Sequence, residues 1–220
     1  MIRPAITCLF LFIASFALAE DAKPKFELPK PGPDGKVAIF NGKDLTGWYG
    51  DTTLFKVENG EIVGKTEKGI KKNEFLKSEF EVSDFRLVLQ IKLVPNGANS
   101  GVQFRSVPFK GNEMKGYQAD AGQGWWAKLY EESTGRDILV KEGGEQFVNK
   151  DDWNTYEIVA VGHHIMMAIN GHKTVDFEDE KGATSGIFGL QVHAGGPTEV
   201  RFKDLQLELN PKAELTTLKK

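Results

Sequence analysis

The sequence predicts an all-β fold in which two sheets pack face to face as a jelly-roll sandwich. Apolar and polar residues alternate with a period of two along several segments, which is typical of strands with one buried face. Glycine is frequent, at 24 of 220 residues, and no segment after residue 19 repeats with the helical period. With about a dozen strands expected, a jelly roll fits better than an immunoglobulin-type sandwich, which needs only about 100 residues.

The individual elements follow from local patterns. From Phe85 to Leu93 every second residue is apolar, which predicts a long, half-buried strand. Asn59-Gly60 and Asn170-Gly171 each lie between two apolar segments, and this dipeptide favours the tight turn of a β-hairpin. The apolar register changes at Lys203-Asp204, where we expect a bulge in the last strand.

The two ends of the chain differ from the middle. Residues 1–19 combine a basic start, an apolar run and Ala17-Leu18-Ala19, the pattern of a signal peptide cleaved after Ala19. Residues 20–36 form a leader rich in proline and lysine, and residues 211–220 form a polar tail. One jelly-roll domain is expected over residues 37–210, and the protein is expected to be secreted or periplasmic.

Charge and cysteine content exclude several classes of protein. Removal of Arg3 with the signal leaves 27 basic and 31 acidic residues, a net charge of about −4, which disfavours nucleic-acid binding. The single cysteine, Cys8, leaves with the signal, so disulfides, thiolate metal sites and a cysteine nucleophile are excluded for the exported chain. We expect no membrane association after signal removal and assign no oligomeric state.

Polar and aromatic residues are densest in residues 96–105, 115–132 and 189–196. Distant strands of a jelly roll can share one concave sheet, so we expect these three segments to line one groove for an extended polar ligand.

The first segment offers Asn99, Gln103 and Arg105 as ligand-binding candidates. Strand alternation places Gln103 and Arg105 on one face, and an arginine there could hold a ligand oxygen with two hydrogen bonds. The alternative is a surface or structural ion pair, the more common role of arginine.

The second segment offers Tyr117, Gln118, Asp120 and Trp125, in which Gln118 and Asp120 share a face. Aromatic rings beside amides and carboxylates suit sugars, because the C–H faces of a sugar stack while its hydroxyls need polar partners. One of the two adjacent tryptophans is equally well explained as part of the core.

Tyr130 and Glu131 are further candidates from the second segment. In a strand, however, Tyr130 and Glu132 would point to the face opposite Glu131.

In the third segment Gln191 and His193 share a face. Histidine exchanges protons near neutral pH, which makes His193 a candidate acid or base, although a purely structural histidine is the alternative.

Several familiar chemistries lack their motifs. The Glu-x-Asp-x-Glu strand of many jelly-roll glucanases is missing, and Asp176-x-Glu178-x-Glu180 runs into a turn, where it is expected to be solvated. No HExxH, EF-hand or GxSxG pattern occurs. We therefore assign no cofactor and no metal-binding residue, while a role for a divalent cation stays open.

An ordered set of short motifs resembles the 3-keto-disaccharide hydrolase domain family over about residues 37–209. The motifs are Phe40-Asn41-Gly42-Lys43-Asp44-Leu45-Thr46-Gly47-Trp48, Asn99-Ser100-Gly101-x-x-Phe104-Arg105, Gly116-Tyr117-Gln118, Trp153-Asn154, Asn170-Gly171 and Gly189-Leu190-Gln191-x-His193. The resemblance implies a concanavalin A-like jelly roll, export from a bacterium, and cleavage of glycosides oxidised at C3.

The resemblance also implies roles for candidate residues. The C3 ketone acidifies the proton on C2, so one base and one donor to the oxyanion suffice for elimination. The implied roles are donors for Arg105 and Gln118, acid or base for Asp120, Glu131 and His193, and a stacking platform for Trp125. Two other classes remain, a lectin-like carbohydrate-binding module and an exported structural protein, and turnover of a 3-keto sugar would separate them from an enzyme.

Overall fold

The computed structural model describes residues 26–219, so the predicted signal peptide lies outside the described residues. The described chain is built from strands and one short turn of 3₁₀-helix, Glu145–Phe147. Within this range no helix is long and apolar enough to cross a membrane.

The strands are β1 (Val37–Ala38), β2 (Trp48–Tyr49), β3 (Phe55–Glu58), β4 (Glu61–Thr66), β5 (Glu74–Val82), β6 (Phe85–Val94), β7 (Asn99–Pro108), β8 (Met114–Gly122), β9 (Leu129–Glu132), β10 (Asp137–Val140), β11 (Asn154–Val161), β12 (His164–Ile169), β13 (His172–Glu178), β14 (Gly186–Val192) and β15 (Thr198–Leu209).

Two antiparallel sheets contain these strands. The eight-stranded sheet has the order β13-β12-β11-β6-β15-β4-β3, with β1 paired to β15, and the seven-stranded sheet has the order β10-β9-β8-β7-β14-β5-β2. Strands distant in sequence are neighbours in both sheets, as β14 pairs with both β5 and β7. The prediction of an all-β, two-sheet sandwich is confirmed.

The predicted turns and bulge are also confirmed. Asn59 and Gly60 join β3 to β4 with φ angles of 52° and 79°, and Asn170 and Gly171 join β12 to β13 with 50° and 82°. Positive φ at both central residues is the backbone conformation that matches the twist of a hairpin. The register of β15 against β6 shifts after Lys203, as the change of apolar register predicts.

The inner faces of the two sheets meet in an aromatic core. Phe188 from the seven-stranded sheet packs edge-to-face on Phe85 of the eight-stranded sheet, with ring centroids 4.9 Å apart. Phe104 also packs on Phe85, at 6.0 Å. Edge-to-face pairs bring the positive ring edge to the negative face, so they stabilise the sandwich beyond simple burial.

The polar tail covers part of the outer face of the eight-stranded sheet. Glu157 of β11 is fully buried there and accepts hydrogen bonds from the backbone N–H and hydroxyl groups of Thr216 and Thr217, at 2.7 to 3.1 Å. Arg86 lies beside it and donates to the carbonyl oxygens of Lys212 and Glu214. A buried carboxylate needs such partners, so the tail satisfies a group that would otherwise be costly to bury.

Candidate functional site

A depression of about 320 Å³ opens on the outer face of the seven-stranded sheet. It is lined mainly by polar and aromatic residues from strands β7, β8 and β9 and from neighbouring loops: Asn73, Gly97, Ala98, Asn99, Gln118, Asp120, Gln123, Trp125, Tyr130, Glu132 and His193. The depression joins parts of all three segments that the sequence singles out.

Strand register explains why these side chains meet. Gly101 of β7 lies opposite Asp120 of β8, and Gln118 of β8 lies opposite Tyr130 of β9. Residues directly opposite in antiparallel strands point to the same face. Gly101 has a steric role, because a Cβ there would lie 2.8 Å from the Gln118 side chain. The glycine lets that amide lie flat across the sheet.

A chain of buried hydrogen bonds orients the Gln118 amide. The Ser106 hydroxyl donates to Gln103 Oε1 at 2.6 Å, and Gln103 Nε2 donates to Gln118 Oε1 at 3.0 Å. With its oxygen occupied, Gln118 turns its Nε2 to Asp120 Oδ1 at 2.7 Å. Gln118 is therefore held as a donor to Asp120.

Asp120 is the buried acid of the depression, with only 3% of its surface exposed. Burial, the largest effect, and the nearby negative charge of Glu132 together raise the pKa of Asp120 to about 7. The hydrogen bond from Gln118 and the positive charge of Lys128 act in the opposite direction. A carboxyl group with such a pKa can accept or give a proton at neutral pH.

Glu132 is the second carboxylate of the depression. Burial raises its pKa, and the negative charges of Glu113 and Asp137 add to the effect. Two carboxylates near one another oppose each other's ionisation. As the pH falls, such a pair therefore binds its first proton at a higher pH than an isolated carboxylate does.

His193 lies just after the end of β14, at one side of the depression. Its Nδ1 is 2.6 Å from the carbonyl oxygen of Ala194. A carbonyl only accepts, so Nδ1 carries the proton and Nε2 of the neutral ring is free to accept one. The Ala194 N–H in turn donates to Asn73 Oδ1 at 2.9 Å, which fixes this loop.

The two adjacent tryptophans have different roles. Trp126 is buried in the core and donates through Nε1 to Asn96 Oδ1 at 2.8 Å. Trp125 is 37% exposed at the depression, where Tyr130 meets it edge-to-face at 6.3 Å and Lys128 Nζ lies 5.2 Å from its ring centroid. Such a supported, exposed ring can stack against the C–H face of a sugar.

Comparison with protein families decides which group of proteins this chain belongs to. The model of a family described as the 3-keto-alpha-glucoside-1,2-lyase-like domain matches residues 35–208. The chain is a member of this family. The resemblance drawn from the sequence motifs is confirmed, and membership of the family identifies a carbohydrate-active, glycosyl-hydrolase-like domain.

Solved structures with the same fold include proteins of several kinds. A putative glycosyl hydrolase from Parabacteroides distasonis is 20% identical with a TM-score of 0.61, over 80% of this chain and 94% of its own. The carbohydrate-binding module CBM66 from Bacillus subtilis is 19% identical with a TM-score of 0.59, over 74% and 95% of the two chains. A Bacillus subtilis protein with a galectin-like fold is 9% identical with a TM-score of 0.61, over 79% and 94%. Comparison with curated proteins gave no match.

The expected site residues fall into three groups: those at the depression, those beneath it and those away from it. The structure places six of them at the depression, namely Asn99, Gln118, Asp120, Trp125, Tyr130 and His193. Gln103 and Gln191 point to the same face but are completely buried, and they reach the depression only through the Gln118 side chain. Their amides support the lining residues rather than forming the surface.

Arg105 does not face the depression, contrary to the sequence-based expectation. Its φ angle is 45°, and the register of β7 against β8 shifts at this point, so strand alternation ends here. The guanidinium is buried and donates to the carbonyl oxygens of Ser83 and Gly162 and to Asp84 Oδ1. Arg105 thus ties the seven-stranded sheet to turns of the other sheet.

Glu131 and Tyr117 also lie away from the depression. Glu131 pairs with Arg136 and accepts a hydrogen bond from Thr134 Oγ1 at 2.9 Å. Tyr117 is stacked on Phe104 in the core, and its hydroxyl donates to Asp179 Oδ2 at 2.6 Å. Both residues are on the strand face opposite Gln118 and Tyr130, so period-two alternation already separates them from the site.

Sequence reasoning assigned no site role to Glu132, Asn73 or Gln123, which line the depression. Strand alternation places Glu132 on the same face as Tyr130, so the sequence pattern could have indicated that Glu132 lines the depression. Asn73 and Gln123 come from loops, where no periodic pattern indicates the direction of a side chain. Among residues 26–219, no group of three or more His, Cys, Asp or Glu side chains is arranged to hold a metal ion.

Proposed function

We propose that this protein is an exported enzyme that cleaves 3-keto-disaccharides or related 3-keto-glycosides by elimination at C1 and C2. The observation that carries the proposal is Asp120, a buried carboxyl group with its pKa raised to about 7 inside a polar, aromatic-lined depression. Perturbed acids of this kind cluster at catalytic sites, because burying one without a function only costs stability. Membership of the 3-keto-alpha-glucoside-1,2-lyase-like family supports the substrate class.

Asp120 acts as the base in the first step. The C3 ketone acidifies the proton on C2, and the Asp120 carboxylate accepts that proton while the C–H electron pair forms the enolate across C2, C3 and the C3 oxygen. Asn99, whose side chain lines the depression, is the amide proposed to stabilise the enolate oxygen, because Gln118 Nε2 already donates to Asp120 and Gln191. Preorganised donors of this kind stabilise developing charge without reorganisation.

His193 acts as the acid in the second step. The enolate re-forms the C3 carbonyl and a C1–C2 double bond, and the bond from C1 to the leaving oxygen breaks. His193 Nε2 takes up a proton from solvent before this step and gives it to that oxygen. Addition of water, with OH to C1 and H to C2, completes a net hydrolysis and consumes no other reagent. Trp125 holds the ring face during both steps.

A carbohydrate-binding module is the second candidate, and the fold shared with CBM66 favours it. A module of this kind would bind a sugar through Trp125 and the amides without a proton transfer. It would gain nothing from the raised pKa of Asp120.

One experiment separates the two candidates. The exported chain is incubated with a 3-keto disaccharide and, separately, with the unoxidised parent sugar, and products are measured by chromatography. We expect cleavage of the oxidised sugar alone. Asp120→Asn and His193→Ala should each lower kcat by about 100-fold or more. Asp176→Ala is the control, since Asp176 is an exposed partner of Lys173 and His164 on the other sheet.

Three outcomes would count against the proposal. Equal rates on oxidised and unoxidised sugars would refute the elimination mechanism. Tight binding of either sugar without turnover would identify a lectin-like module. Full activity of both variants would show that the chemistry lies elsewhere on the protein.

A further inference from the structure

A second depression, of about 310 Å³, adjoins the first one. The two depressions share four lining residues, namely Gly97, Ala98, Asn99 and His193. The first depression continues from these residues toward Trp125, and the second continues along Ala194 to Thr198. Together they form one elongated groove with His193 and Asn99 at its middle.

The two halves of the groove differ in chemistry. The first depression contains Asp120, Glu132, Trp125 and Tyr130, which supply charge and aromatic faces. Among the described residues that line the second depression, His193 is the only ionisable or aromatic one, and the others are glycine, alanine, proline, asparagine and threonine residues. Proton transfer to or from a carboxylate is therefore confined to the first half.

The wall of the second depression is held in place by backbone hydrogen bonds. Gly195 and Ile70 exchange two of them, with N to O distances of 2.8 and 3.0 Å. Thr198 Oγ1 donates to the carbonyl oxygen of Gly196 at 3.2 Å. A wall built from backbone and small residues has a defined shape but few side-chain groups that could select one particular ligand.

We propose that the two depressions are the two subsites of one substrate groove. The first takes the sugar ring with the C3 ketone, and the second takes the group that leaves from C1. This assignment rests on the proposed function, and it follows from the position of the bases: the ring that loses its C2 proton must lie beside Asp120. The bond to be broken then lies at His193, between the two halves.

The composition of the second subsite sets its specificity. With no aromatic platform and no charged anchor other than His193, it accepts leaving groups of different structure, both sugars and other alcohols. Steric room is the property that discriminates among them. Gly196 lines this subsite and can carry a larger side chain without a clash, because a Cβ added there meets no atom within 4 Å and its φ is not in the left-handed region.

Gly196→Phe tests the assignment by filling the second subsite. The measured quantity is kcat/KM of the variant and of the unmodified chain for two substrates. One is a 3-keto disaccharide, which has a large leaving group, and the other is the corresponding methyl 3-keto-glycoside, which has a small one. We expect a loss of about tenfold or more for the disaccharide, since steric misfit in a pocket has effects of this size. The methyl glycoside should lose less than about threefold.

Two further variants make the result interpretable. Gly196→Val, with a smaller side chain, should give the same selective loss to a smaller extent, and it serves if the phenylalanine variant fails to fold. Ala183→Phe is the matched control, because Ala183 is exposed in a different depression with Arg105 and Arg136. This control should leave both substrates unaffected.

Equal losses on both substrates by folded Gly196 variants, or no loss on either, would overturn the subsite assignment. A strong preference of the unmodified chain for one leaving group among several of similar size would overturn the inferred tolerance. Absence of turnover of any 3-keto-glycoside by the unmodified chain would instead refute the proposed function, and the subsite assignment with it.

Discussion

Gln118 Nε2 donates a 2.7 Å hydrogen bond to Asp120 Oδ1 from two positions earlier on the same strand. The two side chains meet because alternate residues of a strand share a face. The hydrogen bond favours the ionised form of Asp120, whereas burial and Glu132 favour the protonated form. Together with the positive charge of Lys128, which favours the ionised form, these effects set the pKa of Asp120 near neutrality.

The charge of Glu132 provides the first prediction. Glu132→Gln removes a negative charge that raises the pKa of Asp120, so the ionised base should form at lower pH. The rising limb of kcat/KM, expected near pH 7 for the unmodified chain, should move down in the variant. The profile is measured between pH 5 and 9 with a 3-keto disaccharide.

Glu131→Gln is the matched control for this prediction. It makes the same chemical change one residue away, on the opposite face, where Glu131 pairs with Arg136. The rising limb of kcat/KM should lie at the same pH in this variant as in the unmodified chain. An identical shift in both variants would indicate a general change in protein charge rather than coupling within the site.

The amide chain provides the second prediction. Gln103→Leu removes the donor that occupies Gln118 Oε1, so Gln118 is no longer held with its Nε2 toward Asp120. Loss of a hydrogen bond to the carboxylate raises its pKa. The rising limb of kcat/KM should therefore move to higher pH.

Gln103 is completely buried, so a control for lost stability is needed. Gln90→Leu removes a half-buried amide that donates to Thr155 Oγ1 on the other sheet at 2.9 Å. It should leave the pH profile unchanged whatever its effect on unfolding. A Gln103→Leu profile with the original midpoint would refute the positioning role, even if the variant were less stable.

The third prediction concerns stability. The pKa of Asp120 rises from 3.8 to about 7 on folding, so the native state binds this proton more tightly than the unfolded state. The stability that depends on this proton is complete below about pH 4 and is lost as pH rises through 7. At about 1.4 kcal/mol per pKa unit, the loss is on the order of 4 kcal/mol at most.

Asp120→Asn should remove this penalty, since the neutral amide can still accept from Gln118. Thermal unfolding should show a higher Tm for the variant at pH 8 and nearly equal values at pH 4. Asp176→Asn provides a contrast, because ion partners lower the pKa of that exposed carboxyl group. A Tm difference for Asp120→Asn that did not change with pH would contradict the assigned protonation behaviour.

The fourth prediction concerns the start of the exported chain. Ala17-Leu18-Ala19 ends the apolar run of residues 1–19, so cleavage should leave Glu20 as the first residue. Intact-mass measurement of protein recovered from the exported fraction of a bacterial host tests this. A mass that includes Met1 to Ala19 would remove the argument for export.

Local pattern alone determined most of the secondary structure. The hairpins at Asn59-Gly60 and Asn170-Gly171 and the bulge after Lys203 could be predicted because each depends on a few consecutive residues. Alternation likewise places Gln118 and Asp120 on one face and separates Glu132 from Glu131.

Only the tertiary structure decided where Arg105 points and which loops complete the site. A positive φ at Arg105 interrupts the alternation of β7, and the deviation depends on carbonyl partners in distant turns. Asn73 reaches the depression because its loop is bonded to Ala194, 121 positions later in the chain. The pKa of Asp120 depends on burial by the assembled sheet. Sequence pattern determines the face on which a residue lies, whereas packing between distant segments determines its surroundings and hence its chemistry.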